Sequence, residues 1–416
     1  MLAVVLAAAL LPAPQDTVSV SLTDAVRRAL DLSPIVAAAR GAVAAPRGER
    51  SQAIWPFPVN PTLEFARLRR TSGGATTYDR ELALVQDVEI AGQGFVRAGA
   101  AGKRVRAAEA LVADAERLAA LEARLAFSTL ALAERRAALV DSAARFGERL
   151  AAVTRRQLDA GAINLLEHNA AVLDAARQRS AAERARAERT ATGADLARVL
   201  ALGAGTVPRP EPLPPLSNRE PPGPDALLRA ALARRPDYSA AEWEARGARQ
   251  DVTATGLDGW IPSLQLGLVS GREEGSDDLF GFTIGVSVPL FRRNQAARGA
   301  AAARRSAADA GLEAVRRAIQ ADVEAAFARY VLARRAERRF AEEVLRAATE
   351  NVTLTERAFA EGKVGIADVV VLRSTAVAAQ LEYLEVLADA YEGWFRLAAA
   401  VGVAPDELND VTGEQP

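Results

Sequence analysis

The chain has 416 residues, no cysteine, one histidine, and a formal net charge of −1 from 52 basic and 53 acidic side chains. This excludes disulfides, thiolate chemistry and cysteine-built metal sites, and a near-neutral balance without blocks of one sign argues against a nucleic-acid partner. Half of the residues are apolar but only 5% are aromatic; much of the apolar share is alanine, which favours helix while adding little area to a core, so slender helical bundles are expected rather than a thick doubly wound domain.

Residues 1–12 are almost wholly apolar and are followed by Ala13, Pro14 and Gln15. This is the pattern of a secretory signal without its basic leading segment, and residues 1–14 are expected to be a signal peptide. No other stretch reaches eighteen uninterrupted apolar residues, so no membrane-spanning helix is expected.

Residues 21–203 read as the first of two copies of one unit. A short helix is expected over 24–40. Leu63, Phe65 and Arg67 then alternate with Glu64, Ala66 and Leu68, residues 69–79 read as a loop, and Leu82 and Leu84 alternate with Ala83 and Val85. After a break at 92–94, residues 95–158 contain no proline and few glycines. Roughly sixty helical residues would span about 90 Å. Leu111, Leu118, Leu121 and Leu125 recur at spacings that suit coiled-coil packing. Gly161 interrupts this helix, and a second runs over 165–200.

Residues 204–224 are a linker. Its proline-rich part, 208–224, is expected to be an extended surface strap. Residues 225–403 then repeat the order about two hundred positions on: 225–242 echoes 24–40, Pro262-Ser263-Leu264 echoes Pro61-Thr62-Leu63, and Glu361-Gly362-Lys363-Val364 echoes Ala160-Gly161-Ala162-Ile163. Leu264, Leu266 and Leu268 alternate with Gln265 and Gly267, residues 271–278 read as a charged loop, and 279–290 carries the clearest pattern in the chain. There Phe280, Phe282, Ile284, Val286 and Val288 point to one side, with Gly281, Thr283, Gly285 and Ser287 on the other. That is the alternation of a membrane β-strand with a lipid face and a small, polar lumen face; a half-buried soluble hairpin has the same period. Helices are expected over 297–359 and 366–401, and residues 404–416 form a tail.

Four strands cannot close a conducting barrel, and open sheet edges cannot face lipid, where each unpaired backbone group costs several kcal/mol. If these strands cross a membrane, several chains must pool them, so an obligate oligomer is expected.

The words SLTDAVRRALDLSP, NPTLEF, VQDVEIAGQGFVR and RRQLDAGAINLLEHNAAVLDAARQR, followed by VSVPLFRRNQAARG and AFAEGKVGIADVVVLRSTAVAAQLEYL, in that order and duplicated, resemble the TolC-like outer-membrane factors over about residues 21–403. The resemblance implies an α+β, mainly α, fold: a homotrimer whose protomers each give four strands to a twelve-stranded outer-membrane barrel continuous with a periplasmic α-helical barrel. It implies a passive channel in the outer membrane that works with a periplasmic adaptor (membrane fusion) protein and an inner-membrane pump of the RND type. VEIAGQGFVR resembles the heavy-metal cation branch, although Ala91 and Gly94 stand where those relatives more often carry glycine and arginine, and Arg97 supplies the basic residue late. Metal cations or small toxic compounds are the implied cargo. A non-conducting periplasmic coiled-coil adaptor or a scaffold protein is the alternative.

No enzyme site and no cofactor are expected: the one histidine, His168, has no nucleophile elbow near it, and Gly92-Gln93-Gly94 lacks the Walker Lys-Ser/Thr pair. In the family the two helix turns are periplasmic tips, which places adaptor contacts at Gly161, Ile163 and Leu165 and at Gly362, Val364 and Ile366. Glu167 and Asp368 are candidate gate acids, or equally helix caps. Phe280, Phe282, Ile284, Val286 and Val288 are expected to face lipid.

Overall fold

A computed structural model describes residues 16–273, 277–291, 293–361 and 363–411, so the expected signal segment and Gly362 lie outside the described residues. Strand β1 (Thr17–Val20) leads into helices α1 (Leu22–Leu32), α2 (Pro34–Ala42) and α3 (Ala44–Ala53). Ser21 caps α1 by accepting the Asp24 amide at 3.0 Å, and Pro34 closes it because the residue before a proline leaves helical geometry. Strands β2 (Thr62–Ser72) and β3 (Ala75–Val88) follow, then α4 (Gln93–Asp159), α5 (Leu165–Val199) and β4 (Val207–Pro210). After these come α6 (Pro224–Arg234), α7 (Pro236–Trp260), β5 (Ser263–Glu273), β6 (Asp277–Ser287), α8 (Gln295–Arg339), a π-helical turn (Phe340–Leu345), α9 (Arg346–Ala360) and α10 (Ile366–Val401), with a final 3-10 turn at Pro405–Asp410; two helices precede the second hairpin where three precede the first. Among the described residues no helix is long and apolar enough to cross a membrane.

Contacts divide the chain into two compact units. The first comprises residues 38–114 and 236–318 and holds a four-stranded antiparallel sheet in the order β2-β3-β5-β6. Its helices are tied by polar pairs: Arg104 of α4 to Asp251 of α7 at 2.6 Å, Gln250 to the Val96 carbonyl at 3.1 Å, and Arg249 to Asp309 of α8 at 2.8 Å.

The second unit comprises residues 1–37, 115–235 and 319–416. Its core is thin and made of Phe127, Leu130, Leu196, Leu227, Ile319, Val323, Tyr330 and Phe395, all fully buried among alanines. The proline-rich strap is pinned onto it: Tyr391 donates to the Pro214 carbonyl at 2.7 Å, Arg334 to Ser217 O at 3.0 Å and Arg338 to Asn218 O at 2.7 Å, while Leu213 is buried. Arginines also cap helix ends, where unpaired carbonyls and the dipole favour a cation. Arg28 donates to Leu200 O after α5, and Arg117 and Arg235 donate to Ala399 and Ala400 O at the end of α10.

Several elements differ from the sequence expectation. The short helices are followed by further helix, α2 and α3 in the first half and α7 in the second, that reaches almost to the strands. β1 pairs with β4 in a two-stranded parallel sheet, Thr17 opposite Val207 through Val20 opposite Pro210; prolines are tolerated because an outer strand leaves one edge unpaired. The helix expected over 297–359 is interrupted by the π-helical turn, with no glycine or proline nearby to announce it. It begins at Phe340, whose ring stacks on Tyr383 with centroids 6.4 Å apart. The hairpins are longer than their apolar stretches: β2 and β3 run on to a turn at Gly73-Gly74, both with positive φ, as a primed two-residue turn requires. At the other end Val288 lies one residue past β6, because Pro289 has no amide to extend the ladder.

The two return helices close alike. Leu202 and Val403 donate to the carbonyls five residues back, at Ala197 and Ala398, which requires a left-handed residue between. Gly402 (φ 79°) supplies it after α10, but Ala201 (φ 46°) does so after α5. A Cβ costs about 1–2 kcal/mol in that conformation. Ala201→Gly is therefore expected to stabilise the chain by about 0.5–1 kcal/mol after the unfolded-state entropy of glycine is subtracted, read as a raised denaturant midpoint with unchanged slope.

Candidate functional site

Pairing register sorts the sheet into two unlike faces. Leu63, Leu84, Leu268 and Phe282 stand abreast across the four strands, as do Phe65, Leu82, Ser270 and Phe280; Leu266 pairs with Ile284 and Leu264 with Val286. All of these share one face, since directly opposed residues do. That face is open: Phe280 is 81% exposed, Phe282 76% and Ile284 63%, and Val286 and Val288 are also exposed. The opposite face carries Thr62, Val85, Gly267 and Thr283 in one row and Glu64, Ala83, Val269 and Gly281 in the next. It is crowded and polar: a Cβ at Gly267 would meet the Thr283 hydroxyl, and Gln265 lies against Gly285. Among the described residues the outer edges of β2 and β6 have no partner strand.

Where β3 enters α4, the motif VEIAGQGFVR does structural work. Glu89 pairs with Arg97, which also reaches Asp258 of α7 at 3.1 Å. Glu89 is nearly buried at its carboxylate. Burial raises the Asp258 carboxyl above the usual range, Arg97 pulls it back and Glu89 pushes it further up. Gln93 folds back so that its Oε1 accepts the Ala91 amide, and Gln295 does the same for Arg293. Among the described residues no group of three His, Asp or Glu side chains could hold a metal ion. His168 is buried with Nδ1 3.0 Å from the Thr154 hydroxyl.

The helix turns lie in the other unit. At the first, Gly161 is left-handed (φ 70°), and Ala162 donates to Gln157 O at 2.8 Å and Gly161 to Leu158 O at 2.9 Å, which satisfies the last carbonyls of α4. Asn164 and Glu167 then form a reciprocal capping box: the Glu167 amide donates to Asn164 Oδ1 at 2.9 Å and the Asn164 amide to Glu167 Oε2 at 3.0 Å. At the second turn Lys363 donates to Ala358 O at 2.8 Å, the same bond in the same register, spanning Gly362. Here the cap residue is Gly365, so only half of the box exists: its amide donates to Asp368 Oδ2 at 3.0 Å. Both acids thus cap return helices. Ile163 and Ile366 are brought together in one apolar cluster with Leu150, Ala171, Phe146, Phe359 and Val370. Ile366 is buried there and Val364 half-buried, whereas Leu165 and Leu166 are exposed, at 60% and 78%.

The sequence reading did not single out Asp258 or Leu166. Leu166 could have been found as a second apolar residue in the first turn of a helix, where a buried stripe needs only one. Asp258 stands alone between Leu257 and Gly259, and no local pattern marks it.

Residues 227–403 match the family model described as outer membrane efflux protein. No functionally curated protein matches the sequence at a significant level. Among solved structures, a membrane protein from Pseudomonas aeruginosa superposes with a TM-score of 0.76 at 21% identity, covering 92% of this chain and 93% of that one. The Vibrio cholerae outer membrane protein VceC gives 0.73 at 18% identity over 92% and 96%, and the Campylobacter jejuni CmeC outer membrane channel 0.74 at 14% over 92% and 85%. At these identities the likeness establishes the fold, that of outer-membrane channel protomers.

Arg97→Ala leaves Glu89 and Asp258 facing each other without their cation. Removing one partner of a largely buried pair costs about 3 kcal/mol. A carboxyl raised in the folded state binds its proton more tightly there, so its burden appears as pH rises from the unfolded carboxylate pKa through the folded one. The substitution removes the group that opposes the rise. Its cost is thus expected to be full at pH 7 and to shrink in acid, once Asp258 is protonated. Equal denaturation midpoint shifts at pH 7 and pH 4 would show that the guanidinium acts by packing alone.

Proposed function

We propose that this chain is the channel subunit of an outer-membrane efflux duct. In this reading three copies pool their sheets into one twelve-stranded barrel, and their long helices form a periplasmic tunnel. The observation that carries it is the sheet itself: one face apolar and exposed, the other small and polar, and both outer edges open. Strands of 11 to 14 residues are long enough to cross a bilayer at a tilt. An apolar face of this kind has lipid as its natural neighbour, and closure with other copies supplies the edge hydrogen bonds that lipid cannot. The family match over the second half and the shared channel fold support the same reading.

In this reading transport is driven by an inner-membrane pump of the RND type through a periplasmic adaptor. The adaptor docks on the helix turns, with exposed Leu165 and the backbone around Gly161 and Gly362 as contacts, Ile163 and Val364 beside them, and Ile366 supporting them from beneath. Cargo is metal cations or small toxic compounds. A cationic cargo is favoured by the polar face of the sheet, which bears Glu64, Asp79, Glu81, Asp87, Glu273 and Asp277 against Arg70. Glu89 and Arg97, by contrast, are committed to each other, so the motif that resembles the cation branch acts at the strand–helix junction and not as a ligand set.

The mature protein is expected to fractionate with outer membranes as a heat-modifiable trimer; a monomer that stays in solution without detergent would overturn the channel reading. Within that trimer Ile284→Arg is expected to cost about 2–4 kcal/mol near the membrane midplane. Thr283→Arg, one residue along and on the other face, is expected to assemble and to reduce conductance.

Asp368 and Glu167 are proposed to add a ring of charge at the resting constriction besides capping. Asp368→Asn keeps an oxygen for the Gly365 amide and removes the charge, whereas Asp368→Ala removes both. Planar-bilayer recording of the trimer is expected to show altered cation selectivity for both variants. A change confined to Asp368→Ala would leave capping as the whole role.

A further inference from the structure

Charge is sorted between the faces of the sheet in a way the apolar band does not require. Beyond the row Phe65–Leu82–Ser270–Phe280, the next row on the same face is Arg67, Arg80, Arg272 and Asp278, with Arg69 opposite Tyr78 in the row after it. Apart from Asp278, the acids of these strand ends among the described residues lie on the other face: Glu81 opposes Ala66 and Gly271, Glu273 opposes Asp277, and Asp79 pairs with Arg70 at 3.0 Å. Three arginines thus stand abreast on neighbouring strands, all exposed. Opposed side chains have Cβ atoms only about 5 Å apart, and like charges in that position repel. Arg272 is relieved by Asp278 at 2.7 Å, and Arg67 lies over the Tyr78 ring at 4.5 Å. Arg80 sits between them on an inner strand, where both lateral neighbours are already arginines, so no further strand can bring it an acid from the side.

The row is two residues, about 7 Å, beyond the last apolar row. A partner that satisfies both must be apolar along Phe65, Phe280 and Phe282 and anionic at the guanidiniums. Phosphate suits the guanidinium fork, which binds it through two parallel hydrogen bonds. One phosphodiester brings a single charge against Arg67, Arg69 and Arg80, whereas a lipid with two or more phosphate groups matches all three. We propose that this arginine row binds the phosphates of a multiply phosphorylated glycolipid in the leaflet at the hairpin end of the barrel. The proposal rests on the channel reading above, because the sheet must first stand in a membrane.

The test uses the full-length trimer, extracted in detergent and stripped of lipid. Assembly is checked on gels before any lipid is added, so a failure of the channel reading shows there and separately. The trimer is then placed in zwitterionic vesicles containing lipopolysaccharide, its phosphatase-treated form, phosphatidylglycerol, or none of these with inorganic phosphate in the buffer. Binding is read by native mass spectrometry, and the temperature of trimer dissociation is measured alongside. Wild type is expected to retain lipopolysaccharide and to melt higher with it. Phosphatase treatment, or R67Q/R80Q, is expected to weaken retention roughly tenfold. In lipid-free detergent R80Q is expected to melt at or above wild type, because it relieves the lateral repulsion; only with lipopolysaccharide does wild type overtake it. Equal retention by wild type and R67Q/R80Q overturns the site. Undiminished retention of the phosphatase-treated form overturns phosphate as the ligand. An equal effect of phosphatidylglycerol or of inorganic phosphate overturns the glycolipid. If R67Q/R80Q does not assemble, the phosphatase comparison on wild type decides.

Discussion

A four-stranded sheet with one exposed apolar face and two open edges leaves two demands unmet, and much of the rest of this chain can be understood from them. Water penalises the face, on which Phe280, Phe282 and Ile284 are largely uncovered. Lipid would accept the face but penalises the edges, because backbone donors and acceptors find no partner there. Only pairing of edge with edge in a closed ring meets both demands. β2 and β6 are the outer strands of an antiparallel set, so in the proposed ring the same two edges would recur at every seam, as a cyclic assembly requires.

The hairpins were legible in the sequence because a period of two survives wherever one face meets an apolar phase: Phe280 to Val286 alternate without a fault. The strand ends were not. Arg69 and Arg272 read as loop residues because charge is a poor sign of strand, yet they continue the ladder on an exposed face where charge carries no burial cost. The helix turns were legible at Gly161 for a local reason, its left-handed geometry. The pairing of β1 with β4 was not, since it joins residues about 190 positions apart and has prolines in it. The π-helical turn was also silent, because its cause is tertiary, a stacking contact between Phe340 and Tyr383 on another helix. Alternation, helical period and glycine turns are local signals; parallel pairing and helix defects are not.

The motif between β3 and α4 shows how a family word can be right about place and silent about purpose. Its glutamate and arginine meet each other and Asp258. A strand that passes from a sheet into a helix must reorient its backbone, and a partly buried ion pair there fixes one geometry among many. Such pairs contribute little net stability against an apolar substitute, but a broken one is costly. The junction is therefore constrained in chemistry without offering a ligand site, which separates resemblance in sequence from inference about cargo.

Capping and gating are often set against each other for an acid at the start of a helix, but the gate role proposed for these acids would use a different part of the group from the cap. The Gly365 amide occupies one oxygen of Asp368, and an ionised carboxylate offers about four acceptor directions. The side chain remains exposed. The cap fixes where that charge points; repeated around an axis, fixed charges make a field that a mobile side chain would blur. Glu167 is held more firmly still, by a complete capping box with Asn164, whereas glycine at the equivalent position 365 leaves the second turn with half of one. If one turn has to yield when the tunnel opens, the half-capped one is released at the cost of fewer hydrogen bonds.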